Sequence, residues 1–376
     1  MSELKSILSA LDGAMSSNRS AVLASIVSVQ GSSYRSPGAR MLIIPGSARS
    51  GIITGPCLES ELERQAALLT PTNPTRLLTY DTTDQKDVLF GYGLGCGGII
   101  RILLEYIDPK SPPQYIPCLR DAVDSDAAAA LATLYSAAGP VIPRIYTTGD
   151  VFHAFGDWPP ELAAIVLADA RGALRAGKAL AHKYNDAEVL IEIIRPSLHL
   201  VIIGAGDGAI PLVRLARELG WRITVLDRRP AFAQPARFPQ ADAVMTCPIG
   251  QIAQNVKLTS RCAAVIMTHN YGDDLELLRI LLASPAAYIG LLGSRSRSQR
   301  LLADLTKDGP GVTSEQLTRL HAPMGLDIGA ETSPEIALAV LAEIQAHFSS
   351  RSGMRLRDSV NPIHDRNGVS CPAGDR

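Results

Sequence analysis

A glycine-rich turn between an apolar run and a helix constrains the fold of this chain more than any other feature. Residues 200–210 read Leu-Val-Ile-Ile-Gly-Ala-Gly-Asp-Gly-Ala-Ile, with the Gly-x-Gly-x-x-Ala spacing at Gly204, Gly206 and Ala209. Glycines so placed let backbone N–H groups approach a phosphate at a helix N-terminus. Asp227 ends the next apolar run, 21 residues after Gly206, where a carboxylate can bond a ribose hydroxyl. The pattern predicts a Rossmann-type fold for the C-terminal half.

The segments after residue 197 continue this pattern, because short apolar runs alternate with amphipathic ones. Alternation at this spacing predicts a doubly wound parallel sheet with helices on both faces. A last helix is expected at about 334–347, with Ser333 as its N-cap. The other predicted strands are 198–203, 223–226, 243–246, 263–268 and 288–292, and the other predicted helices are 209–219, 274–282 and 296–305.

The N-terminal half has a different character and predicts an α+β domain. Apolar residues at helical spacing predict a helix over 1–18, and residues 58–69 a second one. Residues 127–138 read as an alanine-rich helix or linker, and residues 140–195 as strands and turns. The expected organisation is therefore an α+β domain over 1–195, a Rossmann-like domain over 196–348 and a disordered tail over 349–376.

Composition excludes several classes of function. The formal net charge is −1, so no basic field is available to hold a nucleic acid. Apolar runs are shorter than the roughly 18 residues that a membrane span needs, so no membrane partner is expected. The six cysteines are scattered without a Cys-x-x-Cys pair, which argues against a zinc site and against a disulfide scaffold. A reduced, cytoplasmic protein is the expectation.

Two cysteines of the N-terminal half lie in glycine-containing motifs. Residues 55–59 read Gly-Pro-Cys-Leu-Glu and include Cys57, and residues 93–98 read Gly-Leu-Gly-Cys-Gly-Gly and include Cys96. Glycine adds no side chain to a core, so the second motif is either a tight turn or a bare loop that a bulky anionic ligand can approach. Each cysteine can also be read as a small buried hydrophobe.

Together with Gly31-Ser-Ser-Tyr-Arg-Ser-Pro-Gly-Ala-Arg-Met41, these motifs resemble those of the XdhC/CoxI family, the xanthine dehydrogenase accessory proteins. Residues 204–209, Gly290-Leu-Leu-Gly-Ser-Arg295 and His321-Ala-Pro-Met-Gly-Leu-Asp-Ile-Gly-Ala330 extend the resemblance, which covers about 29–346. Two departures are visible. Pro56 stands where the family usually has glycine, and Asp207-Gly208 where it commonly has His-Val.

The resemblance implies a protein that binds molybdenum cofactor (molybdopterin) and protects it during sulfuration by a cysteine desulfurase. Such a protein assists cofactor insertion into a molybdenum hydroxylase such as xanthine dehydrogenase, acts as an accessory factor rather than the hydroxylase, and forms a homodimer. On this reading Cys57 and Cys96 face one cleft as possible molybdenum contacts. Arg35 and Arg40 supply positive charge, and Gly95 and Gly97 supply bare backbone.

The C-terminal half offers further candidate ligands and leaves its own ligand open. His269 follows a predicted strand and is either a proton carrier or a structural histidine, while Ser294 and Arg295 at a helix start suit a phosphate or form a solvated helix end. Asp207 would repel a pyrophosphate, whereas the arginines at 228 and 229 could offset that repulsion. The alternatives to a cofactor chaperone are an NAD(P)-binding oxidoreductase, using Gly204, Gly206 and Asp227, and a nucleotide-sensing binding module.

Overall fold

The computed structural model describes residues 2–47, 49–81, 98–136, 139–307 and 312–360. These residues form two compact units, the N-terminal unit over 3–196 and the C-terminal unit over 197–360. No helix within the described ranges is both long and apolar enough to cross a bilayer.

The first half of the N-terminal unit is an antiparallel sheet with a helix on each face. Within the described residues the strand order is β2-β1-β4-β3. Alternate residues of β1 point to opposite faces, so Leu23 contacts the first helix while Ile26 contacts the second. The elements are helix α1 (Ser2–Ser16), β1 (Ala21–Gly31), β2 (Arg40–Ile43), helix α2 (Pro56–Ala66), β3 (Thr75–Asp81) and β4 (Gly98–Ile107).

The second half of this unit is another antiparallel sheet, whose described strands follow the order β7-β6-β5-β9-β8. Side chains of α1, β1 and β5 share one apolar cluster, so the two sheets of the unit are packed together. The elements are helix α3 (Ile116–Asp124), β5 (Ala129–Leu134), β6 (Arg144–Thr147), β7 (Phe152–Phe155), helix α4 (Pro160–Ala176), β8 (Leu180–Tyr184) and β9 (Ala187–Ile194).

Two predictions for this region are wrong. The alanine-rich segment 127–138 contains the central strand β5, buried at every position, rather than a helix or linker. Its two faces contact different apolar clusters, with Ala130 and Ala132 against α4, so small side chains let the layers approach and tertiary packing overrides alanine's helix propensity. Within 140–195, Pro160–Ala176 is a helix whose Val166 and Ala170 face the sheet.

The C-terminal unit is a parallel sheet with helices on both faces, as predicted. The described strands follow the order β12-β11-β10-β13-β14-β15, so the direction of winding reverses between β10 and β13. The α/β fold, with a Rossmann-like sheet after an α+β region, is thereby confirmed. The strands are β10 (His199–Ile203), β11 (Arg222–Asp227), β12 (Ala243–Thr246), β13 (Cys262–Ile266), β14 (Tyr288–Leu291) and β15 (Leu320–His321). The helices are α5 (Ala209–Glu218), α6 (Ile252–Asn255), α7 (Tyr271–Leu282), α8 (Arg295–Lys307), α9 (Ser314–Thr318) and α10 (Ser333–Phe348), with 3₁₀ turns at Pro235–Arg237, Ile249–Gln251 and Leu356–Asp358.

The last helix starts one residue earlier than predicted. Thr332, not Ser333, is the N-cap. The carboxylate of Glu335 accepts the backbone N–H groups of Glu331 and Thr332 at 2.9 and 2.8 Å. A capping box therefore replaces the simple serine cap, because Glu335 reaches back over the first turn.

Candidate functional site

Segments of the first and third N-terminal motifs meet at one end of the first sheet, and the loop before the second motif lies against β2. Gly31, at the end of β1, is directly opposite Gly98, at the start of β4. A Cβ atom on Gly98 would lie 2.1 Å from the carbonyl oxygen of Ser32, and one on Gly51 would lie 2.4 Å from that of Arg40. Gly51 also has φ +87°, a conformation that other residues rarely adopt. Glycine is needed at both positions because backbone lies directly against backbone.

Hydrogen bonds to two carboxylates hold the backbone of the loop that leads into the Cys57 helix. Buried Glu59 accepts the backbone N–H groups of Ile53 and Thr54 at 3.2 and 3.4 Å, and Glu3 accepts that of Ile52 at 2.9 Å. These three backbone N–H groups therefore already have acceptors within the protein. Pro56, the first residue of α2, has no N–H, so the donors for an anion at this helix start are fewer than the usual first turn offers. The backbone of Cys57 follows directly, in the first turn of α2.

The predicted basic residues of this site are paired with acids. Arg40 is buried, forms an ion pair with Glu192 and donates to the carbonyl oxygen of Gly38 at 3.0 Å. Arg35, about one third exposed, pairs with Glu3. In this arrangement each guanidinium is paired with a carboxylate of the protein itself. Gly95, Cys96, Gly97 and the side chain of Cys57 lie outside the described part of the chain.

A second cleft lies at the carboxyl ends of the C-terminal strands, where the winding reverses. Its volume is about 310 Å³. Gly204 has φ +114°, and a Cβ there would lie 2.4 Å from the carbonyl oxygen of Met267 on the neighbouring strand, so this glycine is required by packing. A Cβ on Gly206 would meet nothing within 4 Å. The apolar floor consists of Ile203, Leu226, Cys247, Ile249 and Ile252.

Asp227 lines this cleft but is already saturated with hydrogen bonds. Its Oδ1 accepts the backbone N–H and Nε of Arg229, and its Oδ2 accepts Nη2 of Arg229 and the backbone N–H of Ala205, all at 2.9 Å. Burial alone would raise the pKa of this carboxyl, but these bonds outweigh burial and lower it. A carboxylate has about four lone-pair positions, so none remains for a ribose diol.

His269 also lines the cleft, opposite the Asp227 loop. It is exposed and has φ +58°, in the left-handed region that favours glycine. Its neighbour Thr268 donates to the buried carboxylate of Asp274, which also pairs with Arg297 at 2.7 Å. The two arginines beside the cleft are likewise engaged, since Arg228 donates to Asp273 at 2.8 Å across it.

The remaining predicted ligands lie elsewhere. Ser294 accepts the backbone N–H of Arg297 at 3.3 Å, as a cap of α8, and Arg295 is exposed at the first position of that helix. Neither residue is among those lining the 310 Å³ cleft. The structure therefore brings Gly204, Asp227 and His269 together, and leaves Ser294 and Arg295 outside this group.

Comparison with known sequences identifies the family of this chain. The family model described as the XdhC Rossmann domain matches residues 200–344, and that of the XdhC and CoxI family matches residues 14–81. A Bacillus subtilis (strain 168) protein described as a probable xanthine dehydrogenase subunit is 32% identical over 338 residues, 89% of this chain and 95% of that protein. The chain belongs to the XdhC and CoxI family.

Other relatives agree with this XdhC and CoxI assignment. The molybdenum cofactor insertion chaperone PaoD of Escherichia coli (strain K12) is 23% identical over 334 residues, covering 88% of this chain and 84% of that protein. A crystal structure described as a xanthine dehydrogenase from Bacillus halodurans superposes with a TM-score of 0.75 at 27% identity, over 96% of this chain and 98% of that one. The two matched regions, residues 14–81 and 200–344, lie in the N-terminal and C-terminal units respectively.

Several residues of these sites were missed by sequence reasoning. Glu3 belongs to no recognisable sequence motif, because its partners, Arg35 and the Ile52 N–H, are distant in the chain. Glu59 lies within the Gly-Pro-Cys-Leu-Glu motif, yet its function as a loop acceptor needs the fold to be known. Cys247, which lies in none of the motifs singled out above, is part of the cleft floor, where burial raises the pKa of its thiol.

A cluster of ionisable rings lies in the C-terminal unit, outside the cleft that Asp227 lines and at the last helix. The Tyr288 ring stacks on His321 with centroids 4.2 Å apart, and its hydroxyl donates to Glu343 at 2.5 Å. His347 meets both rings edge-on. Burial, followed by the nearby charge of His321, lowers the pKa of His347. Burial would raise the pKa of Glu343, but bonds from His321, Tyr288 and the Gly325 N–H hold it at about 2.

We expect the C-terminal unit to lose stability as the pH falls below about 6.5. The folded pKa of His347 is depressed, so its contribution is present above the unfolded pKa of histidine and is lost as the pH drops. The depressed pKa of Glu343 adds a second loss between about 4.5 and 2. Urea unfolding of a Trp158→Phe protein, in which Trp221 reports on this unit, measures the effect. A His347→Gln variant should remove the first loss, and an unchanged pH profile in that variant would contradict the assignment.

Proposed function

We propose that this protein binds the molybdenum cofactor in its N-terminal unit, protects it during sulfuration and assists its insertion into a xanthine dehydrogenase-type hydroxylase. The observations that carry the proposal are the pairing of Gly31 of the first motif with Gly98 of the third, and the backbone contact of Gly51, in the loop that leads into the Cys57 helix, with Arg40 of the first motif. The relative named as a molybdenum cofactor insertion chaperone supports the same function.

The residues of these motifs suit such a group. In the proposal Cys57, whose backbone is the second residue of α2, supplies a soft thiolate ligand for molybdenum. The bound group would supply the metal and its sulfur chemistry. The chain's own part is to hold the loops: Glu59 fixes the backbone before Cys57, and buried Arg40 ties the first motif to Glu192 of β9. In the proposal Cys96 approaches the same group from its glycine-rich loop.

The partners follow from this function. They are a molybdenum hydroxylase such as xanthine dehydrogenase, which receives the cofactor, and a cysteine desulfurase, which supplies the sulfur. We propose a homodimer located in the cytoplasm as the working form. The chain would act as an accessory factor, since it delivers a cofactor rather than completing the hydroxylation.

The alternative functions receive less support. An NAD(P)-dependent oxidoreductase would use the carboxylate of Asp227 to bind ribose, but Arg229 and the Ala205 N–H occupy its acceptors. Asp207 adds a carboxylate to the phosphate loop, although Arg237 pairs with it at 2.7 Å. A nucleotide-sensing module would meet the same obstacles. We therefore propose no catalytic function for the C-terminal unit.

The purified protein should release a pterin on acid treatment, seen as fluorescence after oxidation. We expect Cys57→Ala and Cys96→Ala each to lower pterin retention about tenfold or more, because each removes a charged ligand. Cys118→Ala is the matched control: this free thiol lies on α3, burial raises its pKa, and its loss should leave retention unchanged. Equal retention in the wild type and both site variants would refute the cysteine assignment.

A further inference from the structure

Glu3 joins two motif loops that are far apart in the sequence. One carboxylate oxygen pairs with the Arg35 guanidinium, and the other accepts the backbone N–H of Ile52 at 2.9 Å. Both oxygens are thus used, one on each loop. The carboxylate is about 29% exposed, so water screens these contacts only in part.

The helix that carries Glu3 touches the second loop at a further point. A Cβ on Gly51 would lie 2.8 Å from Cδ1 of Ile7, one helical turn after Glu3. Ile7 is buried, so this face of α1 is fixed against the loop. The first helix therefore contacts the second loop through both apolar and charged groups.

The two joined loops carry large exposed side chains. Tyr34, beside Arg35, is 62% exposed, and Ile52 is 50% exposed. Exposed apolar side chains on glycine- and serine-rich loops have little packing to hold them in place. A carboxylate that binds the backbone of one loop and the guanidinium of the other removes that freedom.

We propose that Glu3 is a positioning residue for the cofactor site, which orders the loop of Tyr34 and the loop of Ile52 before ligand arrives. This inference rests on the proposed function of the N-terminal unit. Ordering both loops in advance lowers the entropy that ligand binding would otherwise have to supply. Glu3 touches the loops and acts through them, since its own oxygens are already occupied.

Hydrogen exchange and pterin retention together test the proposal. Glu3→Leu should speed exchange of the Ile52 amide about tenfold, since a hydrogen bond to a charged acceptor is lost, and should lower pterin retention several-fold. Glu3→Gln keeps an acceptor for Ile52 and loses the charge, so its exchange should change less. Asp12→Leu is the matched control, because Asp12 lies on the same helix and pairs with Arg120, away from both loops.

A charge exchange separates positioning from general stability. Glu3→Arg alone should lose pterin retention, whereas Glu3→Arg combined with Arg35→Glu should recover part of it by restoring the ion pair. Unchanged Ile52 exchange in Glu3→Leu would overturn the contact itself, and faster exchange with full pterin retention would overturn the positioning role. A wild-type protein without pterin would instead refute the proposed function, and the exchange data would still decide whether Glu3 joins the loops.

Discussion

Replacing Glu105 with leucine is expected to lower the free energy of unfolding of the N-terminal unit by about 3–5 kcal/mol. The carboxylate accepts Nη1 and Nη2 of Arg144 at 2.9 and 2.6 Å, and both side chains are about 5% exposed. The pair links β4 of the first sheet to β6 of the second, and the guanidinium lies 4.0 Å from the centre of the Tyr115 ring. Removing the acid leaves the guanidinium of Arg144 buried between the sheets without this carboxylate, where water cannot solvate its charge.

The double variant Glu105→Leu with Arg144→Met is the control. Removing both charges takes away the attraction and the desolvation cost together, so most of the lost stability should return. Urea unfolding of a Trp221→Phe protein reads this unit through Trp158, whose indole N–H donates to the Arg144 carbonyl at 3.3 Å. A double variant as unstable as Glu105→Leu would show that the pair contributes by shape rather than by charge.

Substituting alanine for Gly204 should destabilise the C-terminal unit by about 2–5 kcal/mol, combining backbone strain with a steric clash. The new Cβ would lie 2.4 Å from the carbonyl oxygen of Met267, which directly follows β13, at a residue with φ +114°. The Gly204 loop is held by the hydrogen bond from the Gly204 N–H to the Leu226 carbonyl at 2.8 Å, and the Met267 backbone by the bond from its N–H to the Ile203 carbonyl at 2.7 Å. Movement of either segment would weaken one of these bonds. Urea unfolding followed through Trp221 measures the loss.

Gly206 provides the comparison within the same motif. A Cβ there meets nothing within 4 Å, so Gly206→Ala should change the stability by less than about 1 kcal/mol. The two glycines of this motif are therefore required to different extents. Gly204 lets the loop pack against neighbouring backbone, whereas Gly206 faces open space. Equal destabilisation by both variants would contradict the geometry at Gly206.

The sequence predicted well where local chemistry is sufficient. The Gly-x-Gly-x-x-Ala motif and the alternation of elements predicted the Rossmann-like sheet, because strand and helix periods are properties of short segments. It failed at β5, where alanines fill much of a central strand. Their conformation depends on the helices and strands that pack against them, which come from distant parts of the sequence. Local secondary-structure propensity contains no information about that packing.

The candidate sites show the same division. Motif composition identified Cys57, Arg40 and Asp227 as residues of interest, and the family resemblance that those motifs carry was confirmed. Which charge each residue meets was decided by the fold: Arg40 faces Glu192, Arg35 faces Glu3, and Asp227 is enclosed by Arg229. The ion pairs of Arg40 and Arg35 join positions 152 and 32 residues apart, respectively, so their strength depends on distances that a linear sequence does not contain.

The amino-acid sequence by itself determined the two-part architecture, the Rossmann-like topology and the family, because periodicity, glycine positions and motif order are written along the chain. The tertiary structure alone decided which charges are free to meet a ligand. Electrostatic pairing and burial depend on separation in space, and folding brought Glu3 of the first helix and Glu192 of β9 onto the arginines and a backbone donor of the N-terminal loops.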